Sequence, residues 1–141
     1  MPHDPRFHIW NVLHDGEITA VAADASDTVT IFVSIPYLRR RLQPLGDSFV
    51  LTLSGVRQLQ FRDFSGTISS LRDELDLTAP EILSSESEHM PVTVETTSGQ
   101  LLADFDDVQF ALDTGQSITY DAIEKVCHEY WDEWSAKQPK T

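Results

Sequence analysis

The chain has a single cysteine, Cys127, among 141 residues, so no internal disulfide can staple it. A lone thiol suits a reducing compartment. No apolar run approaches the ~20 residues that a membrane-spanning helix needs. The opening Met1-Pro2-His3-Asp4-Pro5-Arg6 has none of the apolar core of a signal peptide. These absences lead to the expectation of a cytoplasmic protein with no membrane partner. Basic charge is also scarce. Ten Lys and Arg face 23 Asp and Glu, for a formal net charge of −13. That balance speaks against nucleic acid as a partner.

The acidity is unevenly placed. Residues 1–72 carry seven arginines against seven acids, and residues 73–141 carry three lysines against sixteen acids. The whole net charge therefore lies in the second half, and a field of that sign steers toward something basic. Hydrophobic residues make up 40% of the chain, and its 6 Gly and 7 Pro are scattered. Length and composition predict one globular domain over 1–141 with a real core.

Phe7-His8-Ile9-Trp10-Asn11-Val12-Leu13 is aromatic and β-prone, and His14-Asp15-Gly16 reads as a turn. Glu17–Ala22 is a candidate strand, followed by a turn at Asp24-Ala25-Ser26-Asp27. In Thr28–Ile35, Val29, Ile31, Val33 and Ile35 alternate with polar residues, and Pro36 ends the strand. Tyr37–Leu42 is a short connector of about one helical turn. Phe49, Leu51 and Leu53 mark another strand, and the phase slip after Gly55 predicts a bulge or bend at Gly55-Val56. Between residues 63 and 81, Ile68, Leu71 and Leu75 have helical spacing, and Ile82-Leu83 starts a further strand. Ser84–His89 is a polar loop or edge.

The next segment carries the most pattern. If Ser98-Gly99 is a two-residue hairpin turn, Thr96 faces Leu101, Val94 faces Ala103 and Val92 faces Phe105. If Asp106-Asp107 is the next turn, Phe105 faces Val108, Ala103 faces Phe110 and Leu101 faces Leu112. Val92, Val94, Leu101, Ala103, Phe105, Val108, Phe110 and Leu112 then share one face of a three-stranded meander. Thr93, Glu95, Leu102, Asp104 and Gln109 line the other.

After Gly115, Ser117 or Thr119 caps a helix over about 119–135. Its Ile123, Val126, Cys127, Tyr130, Trp131 and Trp134 form one apolar stripe, and the end Lys137-Gln138-Pro139-Lys140 frays. The fold expected is α+β: a mostly antiparallel sheet, meander or partly closed barrel, with one long C-terminal α-helix packed on it.

Chemical motifs are few. His14-Asp15 pairs a carboxylate with a histidine, which suits a general base. The competing reading is a turn in which Asp15 bonds backbone N–H groups and Gly16 takes φ > 0. His3, His8 and His14 match no zinc spacing. Asp104-Phe105-Asp106-Asp107 lacks the glycine and distal glutamate of a calcium loop and reads as a solvated tip. Cys127 and His128 point about 100° apart on a helix, so Cys127 reads as a core thiol. Arg39-Arg40-Arg41 reads as a solvated turn or as a contact with the acidic half of this or another copy. No cofactor is expected.

Leu13-His14-Asp15-Gly16-Glu17-Ile18, Val50-Leu51-Thr52-Leu53-Ser54-Gly55-Val56 and Leu59-Gln60-Phe61-Arg62-Asp63-Phe64 carry a resemblance. Over about residues 7–64 the chain resembles small bacterial domains with a Leu/Phe-His-Asp-Ala/Gly-Glu-Ile turn before their strands. Some of these look like immunity proteins, which neutralise a cognate toxin by binding it. The resemblance implies a partner and brings no active site with it.

The leading expectation is a non-enzymatic module that binds a basic protein partner. Glu95, Asp104, Asp106, Asp107, Asp132 and Glu133 are the candidate contacts, since complementary charge speeds association. The same acidity also serves solubility. The alternatives are a small enzyme built around His14 and Asp15, or a homo-oligomer in which Arg39–Arg41 meet acids of another copy.

Overall fold

The computed structural model describes residues 4–25 and 27–137. Along the chain the elements are α1 (Pro5–Val12), β1 (Glu17–Ala25), β2 (Thr28–Ser34), α2 (Pro36–Arg39), β3 (Ser48–Ser54), β4 (Gln58–Asp63) and β5 (Ile68–Ser70). They continue with α3 (Leu71–Leu77), β6 (Ile82–Ser84), β7 (Val92–Thr96), β8 (Gly99–Asp104), β9 (Asp107–Leu112), β10 (Ser117–Ile118) and α4 (Tyr120–Lys137). The fold is α+β. One five-stranded antiparallel sheet runs β1-β2-β3-β9-β10 and the other β5-β4-β8-β7-β6, with no closed barrel. The apolar faces of both sheets feed a single buried cluster.

The aromatic opening is a helix, which corrects the β-prone reading of Phe7–Leu13. Asp4 accepts the Arg6 N–H at 3.0 Å as N-cap, and Pro5 supplies a preset φ at the first helical position. Ile9, Trp10 and Leu13 then fall on one helical face and are fully buried. The cap and the i, i+4 spacing outweigh the strand propensity of single residues. β1 also runs further than expected, to Ala25, and of the turn expected over Asp24–Asp27 Ser26 lies outside the described residues. Ile68 belongs to strand β5, and the helix that follows is capped by Ser70, whose Oγ accepts the Asp73 N–H at 3.1 Å.

The predicted meander needs two corrections. First, the β7–β8 turn sits one residue earlier. Thr96 faces Gly99, Val94 faces Leu101 and Val92 faces Ala103. This two-residue change in pairing keeps every apolar side chain on its face, because the side-chain period is two. Second, β8 and β9 do not pair. β8 pairs with β4 and β9 with β3, so Asp106-Asp107 is a corner between the sheets. Phe110 therefore enters the core from the β3–β9 sheet and Phe105 from the corner between the sheets. All eight predicted residues are nonetheless buried.

The same corner explains the phase slip at Gly55. Ser54 faces Asp107 and Gln58 faces Asp104, so Gly55-Val56-Arg57 run opposite only Phe105-Asp106. Asp106 N–H donates to Ser54 O at 2.9 Å and Arg57 N–H to Asp104 O at 2.7 Å. Gly55 has φ +64°, and a Cβ there would lie 2.2 Å from the Asp106 carboxylate.

Arg39 is wholly buried where α2 meets β3 and β9. Its Nη2 and Nε donate to Asp113 Oδ1 at 2.7 and 3.0 Å, and Nε also reaches Ser48 O at 3.1 Å. Asp113 Oδ2 accepts the Asp47 and Ser48 N–H groups at 3.0 and 3.2 Å. Burial alone would raise the Asp113 carboxyl, but these backbone bonds and Arg39 together hold it below its ordinary value of 3.8. Asp113→Ala strands a buried guanidinium and should cost about 3 kcal/mol in urea unfolding. In the native chain this stabilisation is present above the ordinary carboxyl value and is lost as pH falls through the lowered folded value. Acid titration of the Asp113→Ala protein should therefore show a shallower loss of stability below about pH 4 than the unaltered chain. Equal slopes would show that the carboxylate carries no linked stability.

Candidate functional site

The six candidate acids do not converge. Glu95 sits on the outer face of β7 and accepts from Gln100 Nε2 at 2.8 Å. Asp104 and Asp106 lie at the corner, where Arg57 Nη2 reaches Asp104 at 2.8 Å and Nη1 reaches Asp106 at 2.6 Å. Asp107 accepts the N–H of Val108 at 2.9 Å. Glu133 of α4 pairs with Arg41. Asp132 is exposed on α4 and, among the described residues, has no salt-bridge partner. Four of the six are thus already engaged by side chains of their own chain. Along the outer side of α4, Asp121, Glu129 and Asp132 are exposed without salt-bridge partners among the described residues, alongside one cation, Lys125; Glu81, Glu86, Glu88 and Asp107 are likewise exposed without one elsewhere in this half.

α4 opens with Thr119 Oγ1 accepting the Ala122 N–H at 3.2 Å, as a cap should. Its apolar stripe is buried only at the start. Ile123 and Val126 are in the core, Cys127, Tyr130 and Trp131 are half-buried, and Trp134 is 47% exposed. The cause is geometric: the helix outruns the sheets, and its later turns rest on α2 and on the end of α1.

An aromatic shelf forms there. Tyr37 of α2 lies 4.5 Å from Tyr130 and 6.5 Å from Trp131, centroid to centroid. Trp134 meets Trp131 edge to face at 5.6 Å. The His14 ring stacks on Trp131 at 5.0 Å with 23° between planes. The Arg41 guanidinium lies 5.5 Å from the Tyr130 centroid while pairing with Glu133.

His14-Asp15-Gly16 is a turn, but its parts are exchanged. Asp15, not Gly16, takes the positive φ, 71°. Gly16 is needed for close approach, since a Cβ would lie 2.5 Å from Val33 Cγ1. His14 Nδ1 meets Asn11 O at 2.8 Å, and Nε2 is 4.0 Å from Asp15, beyond hydrogen-bond reach. Asp15 instead faces the shelf. Burial first, and then the Asp15 carboxylate, push the Tyr37 phenol up to about 12. The aromatic half of α4 was legible in the sequence. The part played by Tyr37 and Asp15 was not, because no local pattern links residues 15, 37 and 130.

The remaining candidates are placed as follows. His3 lies outside the described residues. Among those described, no group of three or more His, Cys, Asp or Glu is arranged to hold a metal ion. The Asp104 and Asp106 carboxylates turn to Arg57. Of the arginine run, Arg39 and Arg41 contact the acidic half of their own chain, and Arg40 is exposed. A cavity of about 460 Å³ opens between α1 and the 85–88 loop, with His8, Glu86 and Glu88 at its wall. No helix of the described residues is long and apolar enough to cross a membrane.

The class these elements define is α+β, two antiparallel sheets with a long C-terminal helix. Comparison with protein-family models, curated proteins and solved structures finds no match.

Cys127 donates to Val12 O at 3.4 Å, and burial first, then Glu124, raise its thiol, partly offset by contact with Trp131. The thiolate is the reactive form, so a thiol reagent near pH 8 should label the native chain roughly tenfold or more slowly than the chain in urea. Equal rates would show that the α1–α4 seam is open.

Proposed function

We propose that this chain is a non-enzymatic protein-binding module, immunity-like in role, that docks a basic partner through its acidic second half. The observation that carries this reading is the outer side of α4, where Asp121, Glu129 and Asp132 are exposed without salt-bridge partners among the described residues. Asp104, Asp106, Asp113 and Glu133 are held by Arg57, Arg39 and Arg41, whereas the exposed Asp73, Glu81, Glu86, Glu88, Glu95 and Asp107 have no salt bridge among the described residues either. The α4 acids differ from these in lining one side of a single helix, where their fields add. Residues 7–64 resemble small bacterial domains, some of which look like immunity proteins, and that resemblance supports a protein partner. A toxin that acts on nucleic acid displays a basic groove, and an acidic surface complements it.

Asp104 and Asp106 are unsuited to a charge-reversal test, because a lysine there would face Arg57 at the corner and strain the fold. Glu129 and Asp132 are the better positions. The partner is first captured from lysate of the native host and identified. Its association rate should fall as salt rises past ~0.15 M, where the Debye length is about 8 Å. The Glu129→Lys, Asp132→Lys double variant should slow association further and leave stability nearly unchanged, because exposed charges contribute little to folding. Binding that ignores both salt and the double reversal would leave the acidity as a solubility feature.

A further inference from the structure

We propose that the shelf of His14, Tyr37, Trp131 and Trp134 is the anchor point for an arginine of the basic partner, with Asp15 as the carboxylate that receives it. The proposal rests on the basic-partner reading above and places its contact point. Four observations support it.

The first is exposure with support. Trp134 is 47% exposed and Tyr37 36% exposed, yet each has an aromatic neighbour within about 6 Å that fixes its ring. Aromatic anchors of this kind, rigid before contact, lose little conformational entropy on binding. Interface hot spots are enriched in tryptophan, tyrosine and arginine.

The second is a precedent inside the molecule. Arg41 lies over Tyr130 and pairs with Glu133. The shelf already holds one guanidinium between a ring face and a carboxylate. A second one at Trp131 and Trp134 would repeat the same chemistry with Asp15 as the acid.

The third is the backbone at Asp15. Its φ of 71° lies in the left-handed region, which costs a non-glycine residue roughly 1 kcal/mol or more. The side chain kept in that conformation is a 57% exposed carboxylate. It makes no hydrogen bond within the described residues and lies 4.0 Å from Nε2 of the His14 ring that stacks on Trp131. Asparagine would hold the same backbone without a charge, so the carboxylate can be tested apart from the turn.

The fourth is charge complementarity. The rim of the shelf carries the Asp15 carboxylate, Glu133 being already paired with Arg41, and the chain carries −13. Two copies of the chain would bring these rims together unfavourably, so a basic segment suits the surface better than self-association.

The test uses ¹⁵N-labelled full-length chain and an acetylated, amidated Gly-Arg-Gly-Arg-Gly peptide, with the Gly-Gln-Gly-Gln-Gly peptide as control. Three indole N–H signals report. Trp10 is fully buried with its Nε1 bonded to Arg6 O at 2.9 Å, so it serves as a fixed reference. The arginine peptide should shift the Trp134 and Trp131 signals and leave Trp10 in place. The glutamine peptide should shift none. Trp134→Ala and Asp15→Asn should each weaken the arginine peptide on the order of tenfold. Asparagine tolerates the left-handed backbone, so Asp15→Asn should fold, and an unmoved Trp10 signal confirms it.

Unshifted Trp131 and Trp134 signals, equal response to the glutamine peptide, or unchanged affinity in both variants would overturn the assignment. So would concentration-dependent shifts of Trp134 without peptide, which would make a second copy the occupant. Glu129→Lys, Asp132→Lys separates the two readings. If that variant weakens the peptide while Trp134→Ala does not, the acidic helix binds and the shelf is not its anchor. If neither matters, both readings fall.

Discussion

The structure turns on one corner, where two paired chain segments leave one sheet and enter the other side by side. β3 and β4 are consecutive, β8 and β9 are consecutive, and the first pair runs antiparallel to the second along its whole length. At the bend three residues face two, so the strands rotate their apolar sides from one sheet to the other while ladder-like bonds persist through Ser54 and Asp104. Arg57 spans the outside of the bend between Asp104 and Asp106. The ion pairs are exposed and add little stability by themselves. Their place is at the only point where the ladder is irregular, so they favour this bend over a straight continuation of β8. Both sheets inherit their relative placement from this corner, and with it the enclosure of Phe105 and Phe110.

Burial was more legible in the sequence than pairing, and the reason is the period of a strand. Alternation decides which face a residue occupies, and a shift of two residues leaves that decision untouched. Val92, Val94, Leu101 and Ala103 are buried as expected although each meets a different partner from the one predicted. The break at Asp106-Asp107 was also visible, because the apolar parity changes from odd at Phe105 to even at Val108. Whether such a break is a hairpin turn or a corner depends on which strand offers its edge, and that strand lies some fifty residues away in sequence. The helix at Pro5–Val12 was obscured for another reason. Its Asp4-Pro5 start is a helix signal, but Phe7, Ile9, Trp10 and Val12 individually favour strands, and burial against β6 and α4 decides the outcome.

The division of charge along the chain is partly a folding device. Arg39, Arg41 and Arg57 come from the neutral first half, and each finds its acid in the second: Asp113, Glu133, and Asp104 with Asp106. These pairs join segments far apart in sequence at three separate points. The most demanding is Arg39, because its whole side chain is out of water and its charge must be matched. Gly46 belongs to that arrangement. Its φ is +94°, and a Cβ would lie 2.6 Å from the Arg39 guanidinium and 2.3 Å from the Asp113 carboxylate. A charge count taken from the sequence therefore overstates the field that the folded second half presents, and the α4 acids contribute more to it than the corner acids do.

The turn after α1 shows how a constraint of packing leaves its mark on chemistry. A His-Asp-Gly turn is expected to give the left-handed residue to glycine, which adopts it without cost. Here Gly16 is held by a different need: β2 passes so close that any side chain would meet Val33 and the carbonyl of Leu13. The chain must still reverse direction, so the left-handed conformation moves one residue back, to Asp15. Each neighbour then acquires a position it would not hold in an ordinary turn. His14 is pressed flat against Trp131, and the Asp15 carboxylate is carried out to the surface. Three residues that sequence presents as a local motif are thereby divided between core packing, ring stacking and surface charge. The Asp15 carboxylate is more exposed than the His14 ring, and it makes no hydrogen bond within the described residues.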